Sequence, residues 1–194
     1  MAEQLKNRRV AILATNGFER VELTEPLRAL KDAGAETTLI APKGGKIKAW
    51  EHDKWGDALP VDLTLADANP DDFDALLLPG GVINADTLRM ERLAVEFVRA
   101  FAAEGKPMAV ICHAPWLLVE ADIVRGRTLT SWPSLKADLK NAGANWIDKD
   151  VVVDNGLVTS RKPDDIPAFN RKMIEEFREG VHAHGSSGRR SWER

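Results

Sequence analysis

The chain has no tyrosine and a single cysteine in 194 residues, at position 112. A lone cysteine excludes an intramolecular disulfide and fits a reducing compartment. No apolar run approaches the ~20 residues that a membrane-spanning helix requires. Met1 to Arg9 carries charge but no apolar signal core, so the expected location is the cytoplasm. An excess of charge of one sign is missing too. The 27 basic side chains face 30 acidic ones, for a formal charge of −3, which offers no electrostatic case for a nucleic acid or membrane partner. Internal repeats and low-complexity core segments are absent. Gly44-Gly45 has no companion motif for cradling a phosphate, and no cofactor or metal is expected. What remains is ordinary for a soluble globular protein, with 44% apolar and 29% charged residues. The length suits one domain, expected over residues 8–180, with 181–194 as a disordered tail in which Gly, Ser and Arg accumulate.

Apolar runs without alternation predict buried strands at Arg8 to Ala14, Glu36 to Ala41, Asp74 to Leu78 and Pro107 to Ile111. Helical spacing lies between them. Leu23, Leu27, Leu30 and Ala33 form one stripe, in which Pro26 implies either a late start capped by Thr24 or a kink. Met90, Leu93, Ala94, Phe97, Val98, Phe101 and Ala102 form another stripe, closed by Gly105. Pro42 to Phe73 interrupts the rhythm with two alternating pieces, Lys46 to Trp50 and Leu59 to Leu65, read as a hairpin serving as cover or interface. Leu129 to Trp132 reads as a fifth strand and Ser134 to Asn141 as a short helix. Val151 to Asp154 and Leu157 to Ser160 read as a hairpin around Asn155-Gly156. Ile166, Phe169, Met173 and Phe177 mark a closing helix capped by Asp164 or Asp165. Strand, helix and strand in alternation predict an α/β fold: a flavodoxin-like, open, mostly parallel sheet with helices on both faces. Ligands bind such sheets beyond the carboxyl ends of the strands, where the strand order reverses.

Cys112 falls at one such end, between an apolar strand and a helix opened by Pro115. A lone cysteine after an apolar run commonly serves as a small core hydrophobe. This one has a helix start and His113 beside it, and free helix-opening N–H groups favour thiolate. Gly17-Phe18-Glu19 and Gly80-Gly81 close two other strands at the same edge. The remaining histidines and tryptophans carry less. His182 and His184 read as a solvated pair near the tail, and His52 as a surface residue able to edge a pocket. Trp116, Trp132 and Trp146 read as core or interface.

Asn16 to Leu23 (NGFERVEL), Leu78-Pro-Gly-Gly, Glu104-Gly-Lys-Pro and Ile111-Cys-His-Ala-Pro together resemble the DJ-1/PfpI superfamily. Arg125 to Ser131, Asn141 to Ala144 and Val151 to Arg161 resemble its PfpI branch of intracellular peptidases, general stress proteins and protein deglycases. The resemblance implies a class I glutamine amidotransferase-like fold and a catalytic set of Cys112, His113, Glu19 and Asp86. Within it, Glu19 would hydrogen-bond the thiol and His113 would act as base. Asp86 would orient that base across a subunit interface, although its position also suits a helix cap before Met90. Gly80, Gly81 and the His113 amide would receive an oxyanion. Ala114 replaces the family's usual glycine. Asp86 is shorter than the usual glutamate, which counts against strong peptidase activity. The implied function is a stress-related cysteine hydrolase acting on glyoxal-derived adducts, of deglycase or glyoxalase type. An intracellular cysteine peptidase or a redox-sensing, chaperone-like protein is the alternative. Implied partners are small carbonyl adducts or peptides, and further copies of the chain as homodimer or hexamer.

Overall fold

The computed structural model describes residues 3–182. The expected tail beyond 182, with His184, lies outside them. A seven-stranded sheet organises the rest. Its strands are β1 (Arg9–Leu13), β3 (Glu36–Ala41), β6 (Leu63–Thr64), β7 (Ala75–Leu78), β8 (Met108–Ile111), β11 (Val151–Asp154) and β12 (Leu157–Ser160). They lie in the order β11-β12-β8-β7-β1-β3-β6. Every neighbouring pair is parallel except β11 with β12. That one hairpin turns at Asn155 (φ 43°) and Gly156 (φ 78°), as the Asn-Gly pair predicts. The chain runs from β1 outward to β3 and returns as β7 on the other side of β1, so the order reverses between β1 and β7.

Alternation along each strand sends neighbours to opposite faces. Val10, Ile12, Leu77, Ala109 and Ile111 pack under α1 (Arg20–Asp32) and α6 (Ile166–Glu179) with Leu23, Leu30, Phe169, Met173 and Phe177. On the other face, Ala11, Leu13, Leu76, Leu78 and Val110 meet α2 (Val82–Met90), α3 (Arg92–Ala103), α4 (Pro115–Glu120) and α5 (Lys136–Asn141). The expected α/β architecture with helices on both faces is present. Among the described residues, no helix is long and apolar enough to cross a membrane.

Several local expectations change. α1 does not start late: it opens at Arg20 and runs through Pro26, which is buried within the helix. Thr24 caps nothing; its hydroxyl donates to the Arg20 carbonyl at 3.0 Å. The stripe predicted from Met90 divides because Glu91 leaves helical geometry (φ −87°, ψ 107°). Met90 is therefore 83% exposed, and Asp86 lies inside α2 rather than capping a helix. The hairpin is β4 (Lys46–Glu51) with β5 (Lys54–Pro60), while Leu63 and Thr64 leave it for the main sheet. Beside β4 lies β2 (Phe18–Glu19).

The expected fifth strand does not join the main sheet. β9 (Thr128–Leu129) pairs with β10 (Asn145–Trp146), since the Thr128 and Thr130 amides donate to the Asp154 and Thr159 side chains. The predicted helix from Ser134 becomes a 3₁₀ turn, Pro133–Leu135, followed by α5. Neither Asp164 nor Asp165 caps α6 through its side chain. Asp165 instead takes two hydrogen bonds from the Arg161 guanidinium, each 2.9 Å.

Candidate active site

β8 is buried throughout and delivers the chain to Cys112, whose φ of 64° is left-handed. Such a conformation costs a non-glycine residue about 1–3 kcal/mol and persists only where its surroundings over-determine it. Here the Cys112 N–H donates to the Ser160 carbonyl at 3.0 Å, and its carbonyl accepts from the Trp132 N–H at 2.9 Å. The corner is thus held between the end of β12 and the segment after β9. It brings consecutive side chains together: Cys112 Sγ lies 3.2 Å from His113 Nδ1. Although Cys112 is only 6% exposed, it opens onto a cavity of about 650 Å³. Trp50, His52, Ile83 and Trp132 form part of the cavity wall. The cavity lies beyond the carboxyl ends of β1, β7 and β8, beside the switch in strand order.

The acid against the thiol is Glu22, not Glu19. Glu22 sits in the first turn of α1, in a buried stripe with Pro26 and Leu30, and is completely covered. Its carboxyl faces the Cys112 sulfur and the Gly80 amide. Neither oxygen completes a well-aligned hydrogen bond. An orphaned buried acid of this kind calls for a functional reason. Burial raises its pKa to about 8. Glu19, at the junction of β2 and α1, lines the cavity further out, and the groups that act on it are His52 and Glu51. Burial raises its pKa too. The expected role for Glu19 fails geometrically: one helical turn separates the residue at the strand exit from the one that reaches back under the corner.

Burial pushes the Cys112 thiol up, as does a charge on Glu22, while the Gly81 and His113 amides favour the thiolate. Two anions cannot be held side by side without large cost. Glu22 therefore keeps its proton up to about pH 8, shared toward the Cys112 sulfur, and the pair does not ionise twice.

Gly80 is glycine because of this pair. A Cβ there would stand 2.2 Å from Glu22 Oε2, 2.6 Å from Cys112 Cβ and 2.9 Å from the Ile111 carbonyl oxygen. Gly81 has φ 94°, and a Cβ on it would meet the Gly17 carbonyl oxygen at 2.3 Å. Its amide and that of His113 both point at the sulfur. His113 is enclosed by tryptophans. Trp132 stacks on it at 5.8 Å and 25°, and Trp116 tilts against it at 5.4 Å. Burial lowers its pKa to about 4, leaving a neutral imidazole at pH 7. Trp132, expected as core or interface, is thus part of the site. Trp146 and Trp116 are tied elsewhere, donating to Ser131 and Asp138.

Asp86 is not brought to His113 within the chain. It is exposed on the outer side of α2 and does not line the cavity. His52 edges the pocket, and His182 is partly buried against Glu176 rather than solvated.

The DJ-1/PfpI family profile matches residues 8–176, nearly all of the described fold. The chain belongs to this family. It is 46% identical over 170 residues to general stress protein 18 of Bacillus subtilis, spanning 86% of this chain and 96% of that protein. Protein/nucleic acid deglycase 2 of Escherichia coli is 44% identical over 171 residues, spanning 87% and 96%. Among solved structures, Drosophila melanogaster DJ-1beta superposes with a TM-score of 0.80 at 30% identity, covering 91% of each chain. A DJ-1/PfpI sheet edge is therefore the setting of Cys112.

Proposed function

We propose that this chain is a stress-related hydrolase that uses Cys112 as nucleophile on glyoxal-derived adducts. The observation that carries this reading is the thiol held at a left-handed corner against the buried Glu22 carboxyl and the Gly81 and His113 amides. With Glu22 raised to about 8, its carboxyl keeps a proton at pH 7 and points it at the sulfur, while neutral His113, its Nδ1 3.2 Å away, takes the thiol proton as the sulfur attacks. The thiolate adds to the adduct's carbonyl carbon; the S–C bond forms and the C=O π pair moves to oxygen. The Gly81 and His113 amides meet that oxyanion. Glu22 gives its proton to the leaving nitrogen or sulfur as the adduct's C–N or C–S bond breaks, and the carbinol O–H proton passes to the neighbouring oxyanion so that an aldehyde forms. The S–C bond then breaks as that proton returns to the sulfur, water hydrates the freed aldehyde, and His113 returns its proton to Glu22. The names of the two curated relatives, a deglycase and a general stress protein, support the same reading.

The test is turnover. Methylglyoxal adducts of N-acetylarginine and N-acetylcysteine, with casein alongside, are incubated with the wild-type protein. Many product molecules per thiol are expected from the adducts, and alkylation of Cys112 should abolish release. One sulfinic acid per chain with no sustained turnover would replace the hydrolase with a redox sensor.

Self-association through the outer side of α2 belongs to the same reading. Val82 and Ile83, which rim the cavity at 51% and 41% exposure, open the helix that carries Asp86. Light scattering should give an oligomer, and a strict monomer would remove Asp86 from the mechanism.

A further inference from the structure

At the opposite ends of the strands, far along the sheet from Cys112, the last turn of α6 places Glu176 and Glu179 one turn apart. Gly180 (φ 85°) then reverses the chain, and His182 returns onto the turns that enter β8 and β12. Its N–H donates to the Gly105 carbonyl at 2.9 Å. A Cβ on Gly105 would stand 2.2 Å from the His182 carbonyl oxygen, and one on Gly156 would stand 2.7 Å from His182 Cδ2. Both turns therefore make room for this histidine.

One carboxylate oxygen from each glutamate and one imidazole nitrogen lie within 4.8 Å of one another. Glu176 Oε2 and His182 Nε2 are 3.1 Å apart. Both atoms are sealed from solvent without a well-aligned hydrogen bond, and Glu176 is only 8% exposed. Ligand atoms around tetrahedral zinc, at its usual bond lengths, stand about 3.3 Å apart. The nearby cations hydrogen-bond other groups: Lys172, whose charge still reaches Glu176, bonds Glu175, and Arg8 donates to the Arg178 carbonyl.

We propose that Glu176, Glu179 and His182 bind a divalent cation of zinc's class, water completing the coordination, and so fasten the chain after α6 to the turns entering β8 and β12. Two carboxylates with one imidazole suit zinc's borderline character. The role is structural, because the site sits at the strand ends remote from the thiol.

The test uses the full chain carrying Cys112→Ser, which removes the competing thiolate. Titration with Zn²⁺ in a calorimeter should show one equivalent bound. Co²⁺ in its place should give weak d–d bands without thiolate charge transfer. Glu176→Gln and His182→Asn should each weaken Zn²⁺ binding at least about tenfold. Glu179→Gln, at an exposed position that leaves the fold undisturbed, should do the same, whereas His184→Asn should change nothing. Failure of the Cys112→Ser chain to bind Zn²⁺ overturns the proposal. So does an affinity indifferent to Glu176→Gln and Glu179→Gln, or one lost through His184→Asn alone.

Discussion

Glu22→Gln is expected to slow turnover of methylglyoxal adducts by about 10²- to 10³-fold, and Glu19→Gln by less than about tenfold. Glutamine keeps the size and a donor toward the sulfur but holds no transferable proton. Glu22→Leu removes the donor as well, so iodoacetamide alkylation at pH 6 should fall in the order Glu, Gln, Leu. If Glu22→Leu alkylates like wild type, the shared proton is wrong. Stability supplies a second readout. Below pH 4.5, the ordinary carboxyl value, folded and unfolded chains both hold this proton. Between there and about 8 the unfolded chain releases it while the folded chain keeps it. Stability from this group is thus fully present in acid and lost as pH rises through that window, by at most about 1.4 kcal/mol per pH unit. Urea unfolding at pH 5, 7 and 9 should show wild type losing stability across the series while Glu22→Gln stays flatter.

The exchange of Glu19 for Glu22 marks where the residues could be read and where they could not. Motif order identifies a strand exit rich in acids, but which carboxyl reaches the thiol depends on where α1 begins. β2 takes Glu19, α1 opens at Arg20, and the first helical turn then swings Glu22 inward. A usable signal was present: Glu22, Pro26 and Leu30 repeat every four residues, so a carboxylate occupies the apolar stripe. The strands around the site were legible because buried parallel strands carry unbroken apolar runs, as in Ala75–Leu78 and Met108–Ile111. Leu129 to Trp132 has strand-like residues but no place in the main sheet. Apolar content does not reveal that Asp154 and Thr159 side chains claim the Thr128 and Thr130 amides and keep the segment out of the ladder. The role of Trp132 has no sequence signal because it arises only from that diversion, which lays it across His113. Asp86 differs in kind: it lies outside the cavity that Cys112 and His113 line, so the fold of one chain does not assign its task.

Gly80→Ala should damage both stability and turnover, because one added methyl strikes the thiol corner directly. The added Cβ meets three neighbours inside van der Waals contact, and two of them, the Ile111 carbonyl and Cys112 Cβ, belong to the constrained corner. Only the Glu22 carboxyl has freedom to retreat, and buried among α1 side chains it has little room. Overpacking of this severity costs about 3 kcal/mol, which for a chain of this size lowers Tm by roughly 6–12 °C. Whichever neighbour yields, the Glu22 to Cys112 geometry is broken, so turnover should fall by about 10²-fold or more in the protein that remains folded. Gly44→Ala is the matched control. Its nearest neighbour would be Thr64 Cγ2 at 3.7 Å, an ordinary contact, and both Tm and turnover should stay at wild-type values. Thermal unfolding followed by circular dichroism, with adduct turnover measured on the same samples, decides the matter. A Gly80→Ala protein as stable and active as Gly44→Ala would mean that Glu22 does not occupy the space beneath the thiol.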